Sequence, residues 1–140
     1  PLVLPPCLVS GKYKGGTMKV DSRRVTRLAT AFPVTLTASD ARTIHGTVRD
    51  VSILGMFVQS KESFPQGTSC EAEFEIEPMK RVGAQCSVVH RYGNGIGLEF
   101  NGIENASFEY LRSLVVSQAE DPQACEDEIL ANMGSLPALY

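Results

Sequence analysis

The chain of 140 residues has no tryptophan, and only two histidines, His45 and His90. Histidine-based acid–base chemistry therefore has few candidates. His45, Asp50 and Ser52 form a nominal triad set, but Ser52 is not in a G-x-S-x-G nucleophile elbow, so no catalytic assignment follows and the chain reads as a non-enzyme. The four cysteines, Cys7, Cys70, Cys86 and Cys125, are scattered without a C-x-x-C pair. That spacing disfavours a zinc site or a disulfide framework and suits a reducing, cytoplasmic compartment. Cys70 and Cys86 fall in the apolar phase of expected strands, where a thiol acts as a small hydrophobe. No apolar run reaches transmembrane length, and the N-terminus lacks a signal-peptide layout. Opening at Pro1, the chain reads as a fragment.

What is present is an ordinary apolar fraction, 43 %, and a net charge of −3. A net negative chain is a poor general binder of nucleic acid. The charge is unevenly placed. Residues 1–30 carry Lys12, Lys14, Lys19, Arg23, Arg24 and Arg27 against Asp21 alone, a net of +5, which leaves −8 for the rest. A basic arm on an acidic body suits a local anion site better than a long polyanion groove. Lys12 and Lys14 also read as a plain solvated tail.

Residues 1–20 are broken by Pro5-Pro6 and Gly15-Gly16 and read as an extension or linker. From Thr30 onward the pattern is β. Phe32 to Thr37 has β-branched and aromatic content, with Pro33 suited to a strand start or an edge. Thr43 to Asp50 and Met56 to Val58 are the next strands, and Phe64-Pro65-Gln66-Gly67 is a tight connection. Cys70, Ala72, Phe74 and Ile76 alternate with Glu71, Glu73, Glu75 and Glu77. That period of two marks a sheet with one wet face, and makes the glutamates a solvated row rather than a catalytic cluster. Val82 to Val88 continues the theme, and Asn94-Gly95 signals a hairpin into Ile96, Leu98 and Phe100. Phe108, Leu111, Leu114 and Val115 recur at helical spacing, with Asn105 or Ser107 as cap. A second helix starts at Asp121-Pro122, carries an Ile129, Leu130 and Met133 stripe, and stops at Gly134. Short strands followed by helices mean a small antiparallel barrel flanked by α-elements.

Two charged patterns stand out. Arg23 and Arg27, four apart, enclose Arg24. Further on, Asp50-Val51-Ser52-Ile53-Leu54-Gly55 sets an acid, a hydroxyl and a glycine just before a strand. Guanidinium forks suit phosphate oxygens and the O6/N7 edge of guanine, and a carboxylate accepts from guanine N1 and N2. Together they would grip a small anionic guanine ligand from two sides. Plainer readings exist: Asp50 and Ser52 as a local turn, and Arg23 and Arg27 as surface ion pairs.

The order R-x-x-x-R then D-x-S-x-x-G, followed by Gly95-Ile96-Gly97-Leu98-Glu99-Phe100 before a helix, resembles the PilZ family of cyclic di-GMP receptors over roughly Ser22 to Ser117. The resemblance implies a mainly β fold, a small six-stranded antiparallel split barrel with C-terminal helices. It divides the chain into an extension over 1–20, a barrel domain with closing helix over 21–118 and a helical extension over 119–140. It implies cyclic di-GMP as ligand, with no cofactor and no metal, and a protein partner whose interaction the ligand controls. Arg23 and Arg27 would bind phosphate and guanine on an arm that folds over the ligand. Arg24 would either stack on a purine or face solvent. Asp50 would accept from a guanine edge and Ser52 would add a hydroxyl. Gly55 would supply positive φ and room for the base. Gly97 would lie against the ligand or simply close the barrel. Ser22 stands where many members carry a further arginine, which favours one ligand per domain. The main alternative is an adaptor of the same fold that works through protein contacts alone. A single-strand nucleic-acid binder lacks its stacking aromatics here, and a hydrolase lacks a base and a metal.

Overall fold

A computed structural model describes residues 26–140. Arg23, Arg24, Ser22, Cys7 and the 1–20 extension lie outside the described residues. Six strands run β1 (Leu28–Ala38), β2 (Thr43–Val51), β3 (Gly55–Gln59), β4 (Ser69–Glu77), β5 (Lys80–Tyr92) and β6 (Gly95–Ile103). Neighbours pair in the order β3-β2-β1-β4-β5-β6, and β3 pairs with β6 to close the ring. All these ladders are antiparallel. The small antiparallel barrel expected from the strand pattern, six-stranded as the family resemblance implies, is therefore the architecture found. Closure matters physically, because it leaves no long unpaired edge among the six strands.

The core sits inside the ring. Leu36, Val48, Val58, Ala72, Val82, Cys86, Val88, Ile96 and Leu98 alternate inward, while Glu71, Glu73, Glu75 and Glu77 face solvent. Cys70 and Cys86 are opposed across β4 and β5 inside the barrel as buried free thiols. Desolvation by burial raises the Cys70 thiol to about 11 and lifts Cys86 well above the ordinary value.

Helix α1 (Asn105–Gln118) packs on β5 through Phe108, Leu111 and Val115. Helix α2 (Pro122–Ala131) follows, then a single 3₁₀ turn at Met133–Ser135 and a two-residue strand β7 (Ala138–Leu139). Strand β7 runs parallel to β6 at Gly102 and Ile103, on from Glu99, where the β3 ladder ends. The Asn105 N–H donates to the Tyr140 carbonyl at 2.8 Å and the Tyr140 N–H to the Ile103 carbonyl at 3.1 Å. None of the described helices is long and apolar enough to cross a membrane.

Several local expectations are corrected. Pro33 lies within β1 rather than at its start, but on an edge as the other expectation had it: it pairs with Thr47 of β2, and the β4 ladder begins one residue later, at Val34↔Phe74. The turn expected over Tyr92-Gly93-Asn94-Gly95 is found, with Tyr92 paired to Gly95 across the two-residue loop Gly93-Asn94. The α1 cap is Glu104, not Asn105 or Ser107. Ser107 instead accepts from the Gly83 N–H at 2.9 Å and ties the helix to β5. In α2, Asp121 caps as expected by accepting from Ala124 N–H, with Pro122 in the first turn. Its buried face is Cys125 and Ile129, whereas Leu130 and Met133 are exposed. The helix ends at Asn132, whose amide folds back on the Glu128 carbonyl, before Gly134 is reached.

Candidate functional site

The site begins with the end of β2. Register irregularities fall between Ala29 and Phe32 on β1 and between Val48 and Asp50 on β2, both in the stretch between the pairings Ala29↔Asp50 and Phe32↔Val48. Bulges re-aim side chains and interrupt the simple alternation. Thr30 pins this region by donating its hydroxyl to the Val48 carbonyl at 2.6 Å. The result is an aspartate that is only 1 % exposed.

Arg27, just before β1, meets that aspartate. Its Nε lies 3.0 Å and its Nη2 2.9 Å from the same oxygen, Oδ1 of Asp50. Two residues assigned to one site from separate motifs, 23 positions apart, are thus in direct contact. The contact is an ion pair with both groups largely out of water, where partner loss is costly. Arg23 and Arg24 lie outside the described residues.

The turn after β2 explains the rest of the D-x-S-x-x-G pattern. The Ser52 N–H donates to the Gly55 carbonyl at 2.8 Å. Its Oγ accepts from Leu54 N–H at 3.1 Å and Gly55 N–H at 3.3 Å. Ser52 is fully buried. Its hydroxyl is engaged in building the turn that carries β3 away from Asp50, as serine side chains do in short turns.

Gly55 is required, but not for the conformation expected of it. Gly67 is the glycine with positive φ among the described residues. A Cβ on Gly55 would come within 2.2 Å of the Leu98 carbonyl oxygen. The glycine is there because the turn presses its backbone onto β6. Gly97 is different: a Cβ there would meet the His90 ring at 3.5 Å, an ordinary contact.

Asp50, Phe57, Gly97 and His90 are successive register partners across β2, β3, β6 and β5. Four adjacent strands span about 14 Å at ~4.8 Å per step. Phe57 and Gly97 are partly exposed and His90 is exposed, so this row lies on the outside of the barrel. Tyr92, half exposed, meets Phe57 edge-on at 5.4 Å and lies 6.1 Å from the His90 ring. The outer face beside the ion pair therefore carries a glycine flanked by aromatic rings. Sequence reasoning placed His90 on a strand but missed this grouping, since only the register brings it together.

A second contact was also invisible in the sequence. The backbone N–H and the Oγ of Thr26, inside the R-x-x-x-R motif, both donate to Oε1 of Glu128, at 2.9 and 2.7 Å. Glu128 is on α2, in the helical extension, 102 residues away. No group of three or more His, Cys, Asp or Glu side chains suited to a metal occurs among the described residues.

Comparison with known proteins bears on this arrangement. No curated protein matches the chain. Among solved structures, the Bacillus subtilis inhibitor of motility, MotI/DgrA, is similar with a TM-score of 0.54 at 16 % identity, over 75 % of this chain. This chain spans only half of that one, 50 %. The PilZ domain of CeSA from a cellulose-synthesizing bacterium gives 0.53 at 13 % identity, covering 65 % of this chain and 95 % of that one. The PilZ domain of YcgR from Escherichia coli, solved with c-di-GMP, gives 0.55 at 12 %, covering 83 % and 100 %. These likenesses concern the fold. The family model for the PilZ domain matches residues 21–117. By the extent of that match, the chain belongs to the PilZ domain family.

Proposed function

We propose that this protein is a non-enzymatic cytoplasmic receptor for cyclic di-GMP that couples the level of the ligand to contact with a protein partner. The observation that carries the reading is the meeting of Arg27 with Asp50 on the flank of the barrel. The ligand bears two phosphates and two guanines. Arg27, with Arg23 and Arg24 from the preceding segment, supplies fixed positive charge and forked donors. Asp50 accepts from guanine N1 and N2. Gly97 leaves space on the outer face, and Ser52 and Gly55 act by holding the turn that fixes Asp50.

The ion pair suggests how the site discriminates. Arg27 donates to Asp50 within the protein itself. A phosphate that draws Arg27 away leaves a buried carboxylate with fewer donors, which is expensive. A ligand that brings guanine N–H groups with its phosphate repays that loss in the same event. A simple anion does not. With Ser22 in place of a further cation, one ligand binds per domain. The division into an extension over 1–20, a barrel over 21–118 and a helical extension over 119–140 fits this scheme, with the cationic segment at the junction of the first two.

An adaptor that works through protein contacts without nucleotide is the second reading. It is favoured by one observation: Arg27, Asp50 and Ser52 all have partners within the protein itself. Titration calorimetry with cyclic di-GMP separates the two. The receptor reading expects saturable binding near one ligand per chain, lost in Arg23→Ala and weakened by Arg27→Ala. Absence of binding by the parent protein removes it and leaves the adaptor.

A further inference from the structure

The cation-bearing segment is held at two consecutive residues by two carboxylates. Arg27 is held by Asp50 of the barrel, and Thr26 by Glu128 of α2. The second contact joins the R-x-x-x-R motif to a helix that lies outside residues 21–117, the range of the family match. Helix α2 is itself fixed to the closing helix: Arg112 of α1 donates to Glu126 at 2.6 Å, and Cys125 and Ile129 are buried. Glu128 sits one turn along the helix from Cys125, next to Ile129, and is half-buried. Its Oε1 takes both the backbone N–H and the hydroxyl of Thr26, so it fixes the main chain of the motif as well as a side chain.

We propose that Glu128 is a positioning residue for ligand binding, and that the C-terminal extension is thereby part of the receptor site. This rests on the receptor reading above. Ordering a flexible segment costs conformational entropy at every residue fixed. A contact that holds Thr26 from within the protein lowers the entropy that binding through this motif costs, which strengthens binding without touching the ligand. An opposing effect is conceivable from the charges. The 119–140 segment holds Glu120, Asp121, Glu126, Asp127 and Glu128 against no lysine or arginine. If Glu128 acted as a rival anion, removing its charge would tighten binding. The geometry favours anchoring, because its partners among the described residues are a neutral amide and a neutral hydroxyl rather than a guanidinium.

The test compares Glu128→Ala with Glu128→Gln in the whole chain, using cyclic di-GMP titration and amide hydrogen exchange of residues 22–28. Glutamine keeps an acceptor oxygen for both Thr26 donors but not the charge. The anchor predicts binding about tenfold weaker in the alanine variant, the size expected for two lost hydrogen bonds, and within about threefold of the parent in the glutamine variant. It also predicts faster exchange at Thr26 in the alanine variant alone. Parental affinity in Glu128→Ala, or tighter binding in both variants, overturns the proposal. If the parent binds no cyclic di-GMP, the receptor reading fails and the positioning role fails with it. Exchange then still decides whether Glu128 anchors the segment, since Thr26 protection in the ligand-free protein does not depend on the nucleotide.

Discussion

Arg27 places two donors, Nε and Nη2, on a single oxygen of Asp50 at 3.0 and 2.9 Å. The two side chains differ in access to water: 16 % of the arginine side chain is exposed against 2 % of the aspartate. That asymmetry predicts unequal mutants. Arg27→Ala takes charge-assisted donors from a carboxylate that cannot reach solvent, and should cost about 2–4 kcal/mol of stability. Asp50→Ala leaves a guanidinium that can swing toward water, and should cost less, about 1–2 kcal/mol. Urea denaturation of both checks the order. The reverse order would mean that Asp50 is held chiefly by other groups.

The two motif glycines should also behave differently. A Cβ on Gly55 collides with a backbone carbonyl, which cannot rotate away. Gly55→Ala should cost at least about 2–3 kcal/mol, through displacement of β3 from β6. A Cβ on Gly97 meets only the His90 ring at 3.5 Å. Gly97→Ala should fold with a melting temperature within a few degrees of the parent. On the receptor reading it should nonetheless weaken cyclic di-GMP, because the methyl group stands on the outer face in the same register row as Asp50, with Phe57 between them. Thermal melting and titration of the same two samples separate a structural glycine from a binding one.

Ser52→Ala tests whether the serine of the motif acts through the turn. Two amides, of Leu54 and Gly55, lose their side-chain acceptor in a buried turn. The expected loss is about 1–3 kcal/mol of stability. Affinity measured well below the melting range should fall less than in Asp50→Ala. A variant as stable as the parent but blind to cyclic di-GMP would assign the hydroxyl to the ligand instead.

The parts of this fold that were legible in the sequence are those that depend on local periodicity. The alternation from Cys70 to Glu77 fixed which face of β4 is wet, and Asp121-Pro122 marked the start of α2. The resemblance puts Arg27 and Asp50 around one ligand, but the ion pair between them is visible only in the structure. What escaped was set by tertiary contact. Leu130 and Met133 read as a helical stripe, yet α2 packs through Cys125 and Ile129 because α1 lies on that side. Gly55 reads as a conformational glycine; its actual constraint is the Leu98 carbonyl, 43 residues further along the chain and visible only once β3 meets β6. The Thr26–Glu128 contact leaves no trace in either local pattern, and the start of α1 at Glu104, which makes no side-chain cap, was hidden by the better cap formers beside it.

The buried thiols set a limit at high pH. Burial raises Cys70 to about 11 and lifts Cys86 well above its ordinary value, while in the unfolded chain both ionise near 9. Between those values the unfolded state has released protons that the folded state retains. Stability is therefore unaffected below about pH 9 and falls as pH rises toward 11, at up to ~1.4 kcal/mol per pH unit for each thiol. Cys70→Ala should flatten that decline relative to the parent in melts at pH 8, 9 and 10. In the native protein at pH 8, a thiol reagent should modify Cys70 and Cys86 only after unfolding.

The loop between β4 and β5 carries a conformational cost that a single change removes. Met79 follows Pro78, has φ of 71° and is 90 % exposed. A proline followed by a residue at positive φ matches the centre of a type II turn, where glycine is preferred at the second position. Methionine there pays a steric penalty and, being so exposed, recovers almost nothing by packing. Met79→Gly removes the penalty but adds freedom to the unfolded chain, a smaller and opposing term. The net should be a gain of about 0.5–1 kcal/mol, measurable as a shift of the urea midpoint with an unchanged slope. The loop stands at the Glu77–Lys80 end of the β4–β5 hairpin, away from Arg27 and Asp50 in register, so ligand affinity should not move. A destabilised glycine variant would show that the methionine side chain makes a contribution beyond its backbone strain.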